Sequence, residues 1–229
     1  HGDHRLSLFA PDPTKRLDHL RDGLEAAGFV ILDIISAGKR TDIAVGSAGQ
    51  PFWDKLSQSK EWLEGHDHPV NSYTARMINP LLRTDDGEDV IFVFDDDAPN
   101  FVELWPKTFP GIAQSDLGLM IHPDYGLWMG ARAHIILPRA YFKFEHADRF
   151  DPCTACIEKP CLSACPVGAF TGPREFDFRA CGAHLKTNPA CFYGGCDARA
   201  ACPYGQSWQL PKDQAEYHQN RFRTALGVD

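Results

Sequence analysis

Cysteine is confined to the last third of this 229-residue chain, and its clustering there constrains the structure more than any other feature. The chain has eight cysteines, and none occurs before residue 153. They read Cys153-x2-Cys156-x4-Cys161-x3-Cys165-Pro166, then Cys181, then Cys191-x4-Cys196-x5-Cys202-Pro203. Eight thiolates are the ligands that two cubane [4Fe–4S] clusters require, at four each. The sequence therefore predicts a cysteine-free domain over residues 1–148 and an iron–sulfur domain over residues 149–229.

Two other uses of cysteine stay open on the sequence. Structural zinc prefers close pairs of ligands separated by a longer loop, whereas the first run crowds four thiols into a short segment. Disulfide frameworks are typical of short secreted chains that cannot build a core. This chain is 43% hydrophobic and needs no such staples. Iron–sulfur ligation is the reading that the pattern favours.

The order of the cysteines also predicts how they divide between two clusters. In two-cluster ferredoxins the fourth cysteine of a run ligates the other cluster, and both runs here end in the Cys-Pro of that pattern. On this rule the first cysteine set is Cys153, Cys156, Cys161 and Cys202. The second cysteine set is Cys165, Cys181, Cys191 and Cys196.

Two spacings depart from the regular ferredoxin motif. The first run carries an extra pair, Lys159-Pro160, which we expect to bulge outward. In the second run Arg199 stands where a regular ending would place a cysteine. We expect Cys191 to take over as the ligand.

Charge and hydropathy limit the partners of the chain. The formal net charge is −8, and two clusters with their thiolates would bring it to about −12. Such a charge disfavours unspecific binding to nucleic acid or to an anionic membrane and fits a basic redox partner protein. No run of 18 apolar residues and no secretion or lipidation signal is visible, so we expect a protein of the reducing cytoplasm.

Residues 1–148 show a mixture of helical and strand patterns, which predicts an α+β sandwich. The first predicted elements are a helix opened by Asp12-Pro13 and stopped by Gly28, a buried strand at 30–35 and a loop at 46–51. They are followed by a helix at 70–82 that ends near Asn79-Pro80, a buried strand at 90–94, and strands at 117–121 and 130–137 joined by a loop.

That last loop carries a resemblance to known proteins. Ile121-His122-Pro123-Asp124-Tyr125-Gly126-Leu127-Trp128 resembles the hydrophobic-His-Pro-x-Phe/Tyr-Gly-x-Trp element of the cobalamin-processing chaperones and the epoxyqueuosine reductases. Asp177-Phe-Arg-Ala-Cys181 resembles the Asp-x-Arg-x-Cys of the reductases, and Gly195-Cys196-Asp197 with Cys202-Pro203-Tyr204 resembles their ending. The resemblance covers about residues 115–205 and extends distantly to corrinoid-dependent reductive dehalogenases.

The resemblance implies a nitroreductase-like α+β sandwich that binds cobalamin, followed by a ferredoxin-like domain whose two [4Fe–4S] clusters deliver electrons to cobalt. Cubanes reach the low potentials that cobalt reduction requires. The implied corrinoid contacts are His122, Pro123, Tyr125, Gly126 and Trp128. For His122 an alternative stays open, in which a strand-end histidine merely caps a turn.

Departures from the family narrow the functional prediction. The Gly-x-Gly-Lys loop of the reductases is missing, and Asp97 and Glu103 cannot be matched to a proton donor. We therefore predict no epoxyqueuosine reduction and identify no catalytic residue. The predicted function is an iron–sulfur redox protein that passes electrons to a bound corrinoid, for cofactor processing or as a corrinoid-dependent reductase. The alternatives are a plain ferredoxin-type carrier and a flavin enzyme, although no Gly-rich phosphate-binding motif supports the latter.

Overall fold

The structure is a computed structural model that describes residues 13–142, 148–188, 190–191 and 195–227. The predicted helix cap at Asp12 lies outside these residues. The helices are α1 Pro13–Ala26, α2 Gly49–Ser57, α3 Lys60–Leu63, α4 Pro69–Ile78, α5 Phe101–Thr108, α6 Pro152–Ala155, α7 Pro160–Ser163, α8 Phe178–Thr187, α9 Asp197–Ala200 and α10 Lys212–Ala225. The strands are β1 Phe29–Ala37, β2 Arg40–Ala48, β3 Asp89–Phe92, β4 Ala113–Gln114, β5 Met120–Ile121, β6 Met129–Leu137, β7 Phe170–Gly172 and β8 Glu175–Phe176.

A four-stranded antiparallel sheet in the order β1-β2-β6-β3 forms the centre of the first part of the chain. Helices α1, α2 and α4 cover one face, to which they contribute buried side chains such as Leu24, Phe52 and Tyr73. Helix α5 covers the other face with Phe101 and Trp105. Both faces are buried because successive side chains of a strand point to opposite sides. The result is the predicted mixed α+β sandwich.

The largest error of the sequence prediction is β2, which was not predicted. The segment at 46–51 was expected to be a loop, but its first half ends β2 and its second half begins α2. Every residue of β2 after Arg40 is buried, although several are small or polar. The polar ones have partners: His134 donates to Asp42 at 2.7 Å and Arg132 donates to Ser47 at 2.9 Å. Because these partners come from β6, no local pattern reveals that the segment is a central strand.

The other predicted elements hold with changed ends. The first helix, the strand at 30–35 and the strand at 130–137 are confirmed, and the two strands are longer than predicted. The strand at 90–94 ends at Phe92, because the Asp95 carboxylate accepts from the Phe92 N–H and closes a turn. The helix at 70–82 ends at Ile78 and continues as a 3₁₀ turn over Asn79–Leu81. The strand at 117–121 shrinks to Met120–Ile121.

The C-terminal helix returns to the sheet. Asp213 of α10 accepts a hydrogen bond from the Trp53 indole at 2.6 Å, and the Tyr217 ring lies 5.2 Å from that of Trp62. Helix α10 therefore packs on the helical layer of the first part, and the boundary between 148 and 149 stays a prediction. Among the described residues, no helix is both long enough and apolar enough to cross a membrane.

A buried ion pair fastens α1 to the start of β3. The Arg16 and Glu88 side chains are almost fully buried, and Arg16 Nε donates to Glu88 at 2.7 Å. Arg16 also donates to the Leu81 carbonyl at 2.8 Å, and Glu88 accepts from the Arg83 N–H at 2.8 Å. Both charges are thus paired and hydrogen-bonded, which is the condition under which buried charge is tolerated.

We expect Glu88→Ala to lower the free energy of unfolding by about 3–5 kcal/mol, because it leaves the buried Arg16 guanidinium without its counter-charge. Urea denaturation followed by circular dichroism measures the change. Asp18→Ala is the matched control, since it removes the carboxylate partner of the exposed Arg21 and should change stability little. Equal losses in the two variants would contradict a structural role for the buried pair.

Candidate functional site

Two short helices interleave the two cysteine sets. Cys161 lies in α7, and Cys165 follows the end of that helix. Cys196 is the N-cap of α9, and Cys202 follows its end. A four-residue helix is about 6 Å long. Each of the two helices therefore has a cysteine of one set near its start and a cysteine of the other set shortly after its end. These four cysteines belong to one apolar cluster with Leu127.

The first cysteine set lines a small enclosed space. Its volume is about 20 Å³. The cysteines that line it are Cys153, Cys156, Cys161 and Cys202. The same space is also lined by three prolines, Pro152, Pro160 and Pro203.

The second cysteine set lines a larger and mostly apolar cavity of about 440 Å³. The cysteines that line it are Cys165, Cys181, Cys191 and Cys196. Helix α8 carries Cys181, and this helix is capped by the Asp177 carboxylate, which accepts from two backbone N–H groups at 3.0 Å. Cys191, which was expected to replace a missing ligand, therefore lies in the same cavity as the other three.

The electrostatic neighbours of the thiols follow the same division. Burial, together with the other three thiols of the second set, raises the pKa of Cys181 to about 11. Burial also raises the pKa of Cys161, with contributions from the other three thiols of the first set. Four thiolates around one space repel each other, so each set requires protons or a cationic group at its centre.

Backbone N–H groups point at several of the sulfur atoms. The N–H of Ala169 donates to Cys165 Sγ at 3.4 Å, and N–H groups at the start of α9 do the same for Cys196. Hydrogen bonds of this kind favour a thiolate over a thiol. Within the part of the chain that the structure describes, no group of three His, Cys, Asp or Glu side chains is arranged to hold a single metal ion.

Both irregular spacings have a structural account. Lys159 adopts a left-handed backbone conformation at φ 42°, begins α7 and forms an ion pair with Asp116. Arg199 donates from Nε to the Leu127 carbonyl at 2.9 Å, and its guanidinium lies 4.6 Å from the centre of the Trp128 ring. Burial lowers the pKa of Arg199 to about 10. The arginine in place of a cysteine thus ties α9 to the loop before β6.

His122 braces the loop at 122–128 from inside. Its buried ring accepts from the Asp124 N–H at Nδ1, at 3.1 Å, and lies 2.8 Å from the Leu32 carbonyl through Nε2. Nε2 must therefore carry the proton. Burial lowers the pKa of His122, which favours the neutral ring. Both nitrogens are used within the protein, as in the turn-capping alternative, and neither is left to ligate a metal.

The rest of the loop forms a seam with the cysteine region. Gly126 has φ 55°, and a Cβ on it would lie 2.0 Å from the Tyr204 carbonyl oxygen. The Tyr125 ring stacks on His122 at 4.8 Å and meets the edge of Trp208 at 4.8 Å. The structure therefore brings His122, Tyr125 and Gly126 together in this seam.

The other two predicted loop contacts lie elsewhere. Pro123 is exposed, whereas Trp128 is buried and lines the cavity of the second cysteine set. His184, which was not predicted as a site residue, lines the same cavity. The sequence feature that could have indicated it is its position three residues after Cys181, which places both side chains on one face of a helix.

Comparison with solved structures finds this fold in proteins of very different sequence. A selenomethionine-labelled epoxyqueuosine reductase matches with a TM-score of 0.50 at 12% identity, over 89% of this chain and 68% of that one. The epoxyqueuosine reductase of Bacillus subtilis gives 0.50 at 13%, over 87% and 67%. The B12-trafficking protein CblC of C. elegans gives 0.52 at 12%, over 92% and 95%. The expected resemblance to these two groups is confirmed as a likeness of fold.

Sequence comparison adds nothing to this likeness. No family profile matches the chain. No curated protein matches it either.

We expect Gly126→Ala to lower the free energy of unfolding by about 1–3 kcal/mol more than Gly118→Ala, because the added methyl group overlaps the Tyr204 carbonyl. Gly118 is the matched control, since its φ of 78° gives similar backbone strain and no atom lies within 4 Å of its Cβ position. Urea denaturation of both variants measures the difference. Equal losses would show that the seam is not tightly packed.

Proposed function

We propose that this chain is an iron–sulfur redox protein in which each cysteine set holds one [4Fe–4S] cluster, and that it passes electrons to a corrinoid bound by the sheet domain. The observation that carries the proposal is the pair of spaces that are each lined by four cysteines. Such clusters supply one-electron chemistry at low potential.

The chemistry of the thiols fits such clusters. Each set is buried enough to raise thiol pKa values, and within each set the thiols oppose each other's ionisation. Iron binding displaces the protons, and the cationic core offsets the repulsion between the thiolates. The backbone N–H groups around Cys165 and Cys196 then stabilise the thiolates that remain.

The interleaved helices support communication between the two sets. Because α7 and α9 each contribute to both sets, one apolar cluster that includes Leu127 and Ala198 contains two cysteines of each set. Apolar neighbours reduce the contact of these cysteines with water, and solvent exposure is one of the factors that set cluster potentials. This arrangement best fits the transfer of single electrons between two neighbouring clusters.

The corrinoid part rests on the fold and on the loop resemblance. One protein of the same fold is named as a B12-trafficking protein, and the loop at 122–128 resembles that of cobalamin-processing chaperones. The residues fit in part. His122 has no free nitrogen to ligate cobalt, and Trp128 lines the second cavity. Pro123 and Tyr125 are therefore the residues of the loop that are exposed enough to contact a corrinoid.

A plain electron carrier is the second candidate, and one observation favours it. The loop at 122–128 is closed by the Tyr204–Gly205 backbone, which approaches Gly126 as closely as a glycine allows. A loop that fastens two parts of a protein needs no ligand to explain its residues. For either candidate we propose a basic protein as electron donor and a reducing compartment such as the cytoplasm.

We expect anaerobically purified protein to contain about eight iron atoms per chain, as two cubanes require. Cys153→Ala and Cys181→Ala should each lower the iron content to about half, and the double variant should hold none. Ser163→Ala, an exposed change between two of the cysteines, is the control and should leave iron unchanged. Colorimetric iron analysis and electron paramagnetic resonance measure the outcome. Zinc or cystine in place of iron would refute the proposal.

We expect cobalamin added without oxygen to bind at about one per chain, with a shift of its absorption bands on binding. Tyr125→Ala should weaken binding about tenfold or more, because it removes the largest partly exposed ring of the loop. Tyr141→Ala is the control, since that ring packs on the opposite face of the sheet. Absence of any shift in the iron-loaded protein would leave the carrier as the function.

A further inference from the structure

Two buried nitrogen atoms lack partners in residues that line the second cavity. Trp128 Nε1 and His184 Nε2 are both shielded from solvent, and neither has a hydrogen-bond partner among the described residues. Both residues line the cavity that holds the second cysteine set. A buried donor without an acceptor costs about 1–3 kcal/mol, so an acceptor placed within its reach stabilises the protein by satisfying it.

The Trp128 side chain is held in place on two sides. It is 6% exposed, and the guanidinium of Arg199 lies over its ring at 4.6 Å. Arg199 is itself fixed by the Leu127 carbonyl, one residue before Trp128. The indole therefore cannot turn freely to find another acceptor.

His184 lines the same cavity from a different element, helix α8. It lies on α8 three residues after Cys181, and that spacing puts the imidazole and the thiol on the same helix face. The carboxylate of Asp177 caps this helix, which fixes the position of both side chains. Two unpartnered nitrogen atoms thus belong to residues on separate elements, and both residues line the cavity of the second cysteine set.

We propose that Trp128 Nε1–H and His184 Nε2–H donate hydrogen bonds to sulfur atoms of the cluster held by Cys165, Cys181, Cys191 and Cys196, and thereby raise its reduction potential. The inference rests on the proposed function, since it requires a cluster in that cavity. Reduction adds negative charge to the sulfur atoms, so an N–H donor stabilises the reduced cluster more than the oxidised one. Trp128 is then a positioning and tuning residue of the cluster.

The first cysteine set differs in the polar side chains that line its space. The charged side chains that line its space are Asp116 and Lys159, which neutralise each other as an ion pair. The proposal therefore predicts an effect on one cluster and none on the other.

The test is Trp128→Phe, which keeps a ring under Arg199 and removes only the N–H donor. Trp105→Phe is the matched control, because the Trp105 indole is also buried without an acceptor among the described residues but packs under the sheet. An electrochemical titration followed by electron paramagnetic resonance measures both midpoints. We expect Trp128→Phe to lower the reduction equilibrium constant of one cluster about tenfold, which is about 59 mV for one electron.

Cysteine variants identify the affected cluster. The shift should persist when Trp128→Phe is combined with Cys153→Ala, which leaves the second set intact, and vanish when it is combined with Cys181→Ala. His184→Leu should shift the same signal in the same direction, and it carries the test if Trp128→Phe does not fold. Resonance Raman spectra should show altered iron–sulfur stretching in both single variants.

The outcomes separate the two claims. Wild-type protein without iron would overturn the proposed function and this inference together. Full iron content with unchanged midpoints in Trp128→Phe and His184→Leu would overturn the inference alone. A shift of equal size in Trp105→Phe would also overturn it, because the effect would then not depend on a donor in the cavity.

Discussion

The arrangement of the C-terminal region depends on one constraint, which is that four partly buried thiols around a single space cannot all ionise without a counter-charge. The chain meets this constraint twice within a short segment and does so by sharing helices between the two sets. Because α7 and α9 each serve both sets, a shift of either helix displaces ligands on both sides. The two sets therefore share two supporting helices.

The second determinant is the loop before β6, which joins the cysteine region to the sheet. His122 fixes the loop to β1 through the Leu32 carbonyl, and Gly126 fixes it to the segment after Cys202. Arg199 adds a third attachment through the Leu127 carbonyl. These contacts use backbone atoms, which cannot be replaced by another choice of side chain. They explain why a short motif dominates the sequence resemblance.

Much of this arrangement follows from the sequence, but not all of it. The ferredoxin rule depends only on the order along the chain, and it divides the cysteines into the same two groups of four that line the two spaces. That each group ligates a cluster stays a prediction. The pattern failed for β2, whose Asp42 and Ser47 are buried through partners on β6. It also failed to indicate that Trp128 lines the cavity of the second cysteine set. Both failures concern partners that are distant in sequence, whose pairing is set by the sheet and not by local periodicity.

The close backbone packing at Gly126 and the packing of α10 on the helical layer limit how the protein can be divided into fragments. A fragment starting near residue 149 would lose the carbonyl that holds Arg199 and would expose the apolar side of α10. A region attached in this way is thus a poor candidate for excision or for grafting onto another scaffold. A chimera that moves the cysteines would have to bring the β5–β6 loop with them.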